Sequence, residues 1–452
     1  MNSSSRTISG KMDMLHGSLL DKILIFALPL AGCSIMQQLF NSVGIAVVGR
    51  FASSQSLAAV GGNGSIISLL VTLFSGISLG SNVVIAHYIG QGNEKKIPRV
   101  VHTAISLALV SGILLLLLGQ MIARPILALM GTPSDVIDLA TLYLRIYFLG
   151  MPFLMLYDFG ASILRSIGDT KRPFYSLLAS GVINVILNLL LVVVFHMDVA
   201  GTGIATVIAN GVSAFLVLHF LMHENDPIRL SLKHLVLDCD AIMRIIRIGV
   251  PAGLQGMVFS LANVCIQSTI NSFGSKVVAG SSAALNYEYF SYFLVNAFAQ
   301  TTVTFTSQNY GAGEYDRCKK VFRLGMLASV LSCGCLSLIF VLFRSFFVGL
   351  YTTDSAVIHY ALLRVLVVLT FECLTSAYEI SGAALRGLGH SMTPAALTVL
   401  GSCILRLIWV FTLCRMFHSY ILLLVIYPIS WIVTGAMVLF AYFKTRKKLF
   451  PA

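Results

Sequence analysis

The sequence predicts an all-α polytopic membrane protein, with twelve transmembrane helices in two six-helix lobes related by an internal repeat. Three observations carry that prediction. The chain is 57% hydrophobic and only 11% charged, whereas a soluble domain is about a quarter charged. Apolar stretches such as residues 105–119 (ISLALVSGILLLLLG) recur along all 452 residues, and a bilayer core takes about 20 apolar residues per helix. These runs are long and do not alternate in short units, which excludes a transmembrane β-barrel. Finally, residues 164–173 (LRSIGDTKRP) return as residues 385–394 (LRGLGHSMTP). The same shift of 221 positions superposes Tyr157 on Tyr378, Asp158 on Glu379, and Gly90 and Gly92 on Gly311 and Gly313. One residue more of offset aligns Pro29 with Pro251. Internal repeats are a common construction of transporters, with the ligand path between the halves.

Residues 1–21 form a polar cytosolic lead without the apolar core of a signal peptide. The N-lobe, residues 22–222, holds spans at 22–48, 56–88, 100–121, 137–162, 174–196 and 200–222. A polar linker at 223–245 separates it from the C-lobe at 246–443. The C-lobe has spans at 246–271, 278–305, 321–344, 357–382, 394–416 and 420–443, and a basic cytosolic tail follows at 444–452. Each repeat has an even number of spans, so both enter the membrane with the same orientation. Gly168 and Gly389 suit helix ends that need positive φ, and Pro173 and Pro394 suit the first position of the next helix. Pro29 and Pro251 lie within the first span of each lobe. A mid-helix proline removes a backbone hydrogen bond and kinks the helix, which makes these two the candidate hinges; a static kink is the alternative.

The net charge of +12 is explained by placement. Lys95, Lys96, Arg99, Lys171, Arg172, Lys319, Lys320, Arg323 and the Lys444–Lys448 cluster fall on one side, together with Arg6 and Lys11. Few basic residues fall in the opposite loops. The positive-inside rule then puts both termini and the linker in the cytosol of a multi-pass cell-membrane protein, and no nucleic-acid partner is needed. The nine cysteines lack CxxC or metal-type spacing and read as free thiols packed as small hydrophobes. No metal and no organic cofactor are expected. No HExxH, GxSxG or paired-histidine motif is present, so a membrane enzyme is not expected.

The ordered segments ALPLAGCSIMQQLFNSVGIAVVGR (27–50), LRSIGDTKRP, VAGTGIAT (199–206) and TFTSQNYGAG (304–313) resemble the MATE family (multidrug and toxic compound extrusion). The resemblance covers roughly residues 20–440. It implies two six-helix lobes around a central cavity, and export of organic cations in exchange for Na+ or H+ by rocking between outward- and inward-open states. It also implies an N-lobe cation site drawn from spans one, four, five and six, which Asn184 and Thr206 match. The chain departs from that pattern in two ways. Gly44 stands where the family commonly has an aspartate, and Asn188 where some branches have one. Asp158 stands where those branches have asparagine, so the carboxylate is relocated to span four.

Ionisable groups inside a membrane are functional candidates by default, because burying a charge there is costly. Asp158, Asn184, Asn188 and Thr206 together offer a carboxylate, two amide oxygens and a hydroxyl, a hard-oxygen set suited to Na+; the same carboxylate could carry a proton instead. In the C-lobe the candidates are Glu288 in span eight and Glu372 and Glu379 in span ten. Arg406 in span eleven is the mid-span cation, expected to pair with Glu372 or Glu379. Gln37, Asn41, Tyr157, Asn286, Tyr287 and Tyr378 are the candidate cavity residues, aromatic walls suiting flat cations.

The sequence therefore predicts a secondary active multidrug antiporter for cationic or amphipathic small molecules, coupled to Na+ or H+ and working as a lipid-embedded monomer. The alternatives are a lipid-linked-sugar flippase, which would need an Arg- and Lys-lined cavity, and a transporter that has lost ion coupling. Four mid-span acids against one arginine favour cationic substrates.

Overall fold

The structure, a computed structural model, describes residues 12–451, apart from the side chains of Ser54 and Ser65. Arg6, Lys11 and the rest of the lead before residue 12 lie outside the described residues. Among the described residues there is no β-strand. The helices, in chain order, are α1 (Leu20–Phe51), α2 (Gln55–Gly90), α3 (Ile97–Leu129), α4 (Ile137–Leu149 and Met151–Ser166), α5 (Lys171–Val194), α6 (Asp198–Met222), α7 (Cys239–Asn271), α8 (Ser275–Gly311), α9 (Tyr315–Leu342), α10 (Ser355–Gly387), α11 (Met392–Phe417) and α12 (Tyr420–Leu449). They follow the twelve expected spans in order.

Ten of these helices are long and apolar enough to cross a membrane as they stand. The two pieces of α4 qualify together, bent by 45°. The bend falls where Gly150 closes the first piece and Pro152, which has no N–H to donate, is the second residue of the next. The remaining helix, α8, is 37 residues long but rich in Ser, Thr and Tyr. It is tolerated because that polar surface faces protein. Ser281, Tyr287, Ser291, Thr301, Thr302, Thr304 and Ser307 are all buried. Ser281 is hydrogen-bonded to Tyr420 on α12, and Ser337 on α9 donates to Ser291. Interhelical hydrogen bonds of this kind replace the apolar driving force that lipid cannot supply.

The duplicated loops fold alike. Gly168 and Gly389 have φ of 91° and 86°. After α4, the Asp169 N–H donates to Leu164 O and the Gly168 N–H to Arg165 O; after α10, His390 donates to Leu385 O and Gly389 to Arg386 O. Both are helix-closing turns in which a left-handed residue satisfies the last carbonyls. Pro173 and Pro394 are the third residues of α5 and α11, not the first. They are still within the opening turn, where the missing N–H had no partner to lose. The fifth helix of each repeat also widens to a π turn at the same duplicated position, at Leu189–Val194 and Val410–Cys414.

The chain forms two compact units. One is built on Gly32–Gly253 and the other on Met14–Ala31 together with Leu254 onward. The change of unit falls two residues after Pro29 and two after Pro251, both inside continuous helices. In the first unit, α2 meets the opening of α7 through glycines. A Cβ on Gly76 would lie 2.3 Å from Gly253 Cα, and one on Gly80 2.2 Å from Ile245 O. Gly76 and Gly80 are four apart, as are Gly249 and Gly253, so two small-residue faces bring the backbones together. In the second unit, the segment before α1 is held by side chains around the TFTSQNYGAG motif. Asn309 Nδ2 donates to Met14 O at 3.2 Å, and Arg317 Nη1 to Gly17 O at 3.1 Å.

Candidate functional site

In the first unit Asp158 lies on the second piece of α4, partly exposed amid a largely buried helix. Its Oδ2 accepts a hydrogen bond from Ser75 Oγ on α2. A row of polar groups continues along these two helices. Ser78 Oγ donates to Ser75 O at 2.7 Å, Ser162 Oγ to Ser78 Oγ at 3.3 Å, and Asn82 Nδ2 to Ser162 O at 3.1 Å. Ser75, Ser78, Asn82 and Ser162 were not singled out in the sequence, because isolated serines on apolar helices carry no pattern.

The expected four-residue oxygen set is divided. Among the described residues no hydrogen bond joins Asp158 to Asn184, Asn188 or Thr206. Asn188 Nδ2 donates to both Asn184 Oδ1 and Asn184 O, at 3.0 and 2.9 Å, because the two amides sit one turn apart on α5. Thr206 Oγ1 donates to Thr202 O at 3.0 Å on its own helix, α6. Within this set and beside it on α6, Asn188 Oδ1 and Thr202 Oγ1 are buried without a hydrogen-bond partner among the described residues. Thr202 escaped the sequence reading. A Cβ on Gly44 would meet only Thr202 Cγ2, at 4.0 Å, so position 44 has room for the side chain that it lacks.

In the second unit the charges pair differently from the expectation. Glu288 on α8 is bound by Arg364 on α10, Nε to Oε1 at 2.6 Å and Nη2 to Oε2 at 2.9 Å. The two side chains are 9% and 2% exposed. This parallel pair satisfies both carboxylate oxygens, so Glu288 is a structural partner and not an open acid. Arg406 takes neither Glu372 nor Glu379. Its Nε donates to Ser430 Oγ at 2.9 Å. Its guanidinium lies 4.5 Å from the centroid of Tyr427, 5.5 Å from Phe259 and 6.0 Å from Trp431. The aromatic faces supply the negative potential that a carboxylate was expected to give. Glu372 sits buried in a 3₁₀ stretch of α10, Leu369–Leu374, with Oε2 unpartnered. With both Arg364 and Arg406 buried in the spans, the balance of four acids against one arginine no longer holds.

Glu379, the repeat mate of Asp158, is partly exposed, and its Oε1 accepts from Tyr292 on α8 at 2.9 Å. Two turns on, Arg386 Nη2 donates to Gln255 Oε1 on α7 at 2.8 Å. Three expected cavity tyrosines are core side chains instead. Tyr157 is 2% and Tyr378 3% exposed, and Tyr157 donates to Pro173 O. Tyr287 donates to Phe347 O at 2.8 Å and packs on Phe340, Phe347 and Tyr351. An aromatic ring on the inner stripe of a helix packs between helices, and only its hydroxyl needs a polar partner. Gln37 and Asn41 on α1 are exposed, and Asn286 on α8 is half-buried.

Comparison with known proteins places this arrangement. The MatE family model matches twice, over residues 29–190 and 251–412, reproducing the internal repeat and together spanning well over half of the chain. The chain belongs to the MatE family. It is similar to the probable multidrug resistance protein YoeA of Bacillus subtilis, 29% identical over 83% of this chain and 82% of that protein. It is also similar to the multidrug export protein MepA of Staphylococcus aureus, 22% identical over 74% of each chain. Among solved structures, an outward-facing multidrug resistance MATE transporter superposes with a TM-score of 0.89 at 18% identity, over 96% of this chain and 98% of that one. A Pyrococcus furiosus transporter of the MOP superfamily, described as having a binding pocket of reverse polarity, gives 0.89 at 19% identity over 97% and 98%. These likenesses establish the fold of a MatE transporter, twelve helices in two lobes.

Proposed function

We propose that this MatE protein is a secondary active exporter of cationic or amphipathic small molecules, driven by exchange for H+ or Na+, working as a monomer in the cell membrane with both termini cytosolic. The observation that carries the proposal is Asp158, a carboxylate within a transmembrane helix that is partly exposed and held by a single side-chain hydroxyl. Among the acids deep in the spans, Asp158 and Glu379 stay partly exposed, while Glu288 and Glu372 are buried. The buried arginines Arg364 and Arg406 are engaged by Glu288 and by Ser430 with aromatic rings. That pattern supports cationic cargo over the pyrophosphate headgroup of a lipid-linked sugar. Asn188 and Thr202, with their spare oxygens, are a weaker second candidate for cation binding in the same unit, because no carboxylate stands at position 44.

The test is dye efflux from proteoliposomes holding the whole chain, with Na+ and H+ gradients imposed separately. Wild type should export ethidium under at least one gradient, and Asp158→Asn should lower the gradient-driven rate at least tenfold or change its ion dependence. Gradient-driven efflux that is indistinguishable between wild type and Asp158→Asn would remove Asp158 from coupling.

A further inference from the structure

The duplicated acid has a similar setting in both repeats, although the hydroxyls that serve it are not repeat mates: Ser75 aligns with Asn296, and Tyr292 with Val71. Asp158 and Glu379 each lie on the fourth helix of a repeat, partly exposed among buried neighbours. Each accepts a hydrogen bond from a hydroxyl on the second helix of its own repeat, Ser75 on α2 and Tyr292 on α8. Each is followed seven residues later, on the same helical face, by an arginine, Arg165 or Arg386. Each arginine in turn faces the residue four positions beyond the proline of the first helix. Arg165 lies within electrostatic range of Cys33, and Arg386 donates to Gln255. Cys33 and Gln255 are repeat mates by the offset that aligns Pro29 with Pro251. The residue types differ while the geometry of acid, hydroxyl and arginine recurs.

We infer that each six-helix repeat carries its own proton-loading carboxyl, Asp158 in the first and Glu379 in the second, so that one export cycle exchanges two protons for one substrate. The inference rests on the exporter reading above. At each site one carboxylate oxygen is bonded to the hydroxyl, and among the described residues the other has no hydrogen-bond partner. A proton arriving from outside forms the O–H bond on that second oxygen, cancelling the charge, and breaks it again on release to the cytosol. One hydroxyl is a poor substitute for the six or so oxygens that a hard metal cation gathers, but it is enough to orient a carboxyl that gains and loses a proton. The titratable and charged groups around Asp158 are Arg165, Tyr147 and Tyr157, and those around Glu379 are Tyr292, Tyr378 and Arg386.

The experiment uses the full chain in proteoliposomes with ethidium, a permanent monovalent cation. Protons moved per ethidium are counted while a potassium–valinomycin potential is varied at fixed pH gradient. Two protons against one ethidium carry net charge, so wild-type export should respond to the potential. Asp158→Asn and Glu379→Gln should each drop the ratio to about one and abolish the response to potential, with pH-driven export slowed at least tenfold but still measurable. A wild-type ratio of one, with export insensitive to potential, overturns the two-site inference and leaves the exporter reading standing. So does complete loss of coupling in either single variant when its unfolding temperature matches wild type. Wild-type chain that moves no ethidium under any gradient overturns the exporter reading itself.

Discussion

Glu288 and Arg364 form the most consequential pair of residues in the second unit. Their two parallel hydrogen bonds lie between buried side chains on α8 and α10. Removing one partner of a buried pair costs about 3–5 kcal/mol, because the other charge is left uncompensated. Glu288→Gln should therefore lower the unfolding temperature sharply, and Glu288→Gln combined with Arg364→Met should recover much of the loss. An equal or larger loss in the double variant would show that the pair contributes more than mutual neutralisation. The acids themselves were legible in the sequence, because an ionisable residue in an apolar run stands out. Their partners were not. Glu288 and Arg364 are 76 residues apart, and Arg406 is packed among aromatic faces that look like any other rings in a chain with 28 Phe and 16 Tyr.

Helices meet through what they lack as much as through what they carry. Gly76 and Gly80 on α2 and Gly249 and Gly253 on α7 bring backbones into direct contact, with no space for a Cβ at Gly76. Gly76→Leu should force the helices apart at a cost of about 1–3 kcal/mol or more, seen as a lower unfolding temperature in detergent. A variant such as Gly61→Ala, at a site with nothing within 4 Å, should be nearly neutral by comparison. The turns closed by Gly168 and Gly389 were readable in advance, since a glycine that ends an apolar run is a local signal. The glycine crossing was not, because the pairing of α2 with α7 joins segments from opposite ends of the first unit. The break in α4 was likewise hidden inside what reads as one continuous span, although Gly150 and Pro152 mark it once the bend is known.

At the scale of the molecule, duplication organises the structure. The repeats share turns, π turns and an acid followed seven residues later by an arginine, and they differ at the fifth helix. The first unit has Asn184 and Asn188 there, and the second has Arg406 among aromatic rings. The first unit is therefore the one in which an added carboxylate tests for a cation site. Gly44→Asp introduces a carboxylate beside Thr202, where there is room for it. Ethidium efflux from this variant should gain a dependence on external Na+ that wild type lacks or shows more weakly. An unchanged Na+ profile in a variant that still transports would mean that Asn188 and Thr202 do not form a cation site with position 44.

The sequence by itself determined the class, the helices, their order and the duplication. Apolar length, charge placement and a repeat at constant offset are properties of the chain that no packing can alter. It also singled out Asp158 and Glu379, because two acids at one duplicated position in apolar helices are conspicuous without coordinates. Only the tertiary structure decided which candidate charges are free and which are spent. It bound Glu288 to Arg364, surrounded Arg406 with rings, closed Asn188 onto Asn184, and drew Tyr157, Tyr287 and Tyr378 into the core. The physical reason is that a polar group in a membrane must find a partner, and the nearest partner in space lies on another helix at a separation along the chain that residue spacing does not encode.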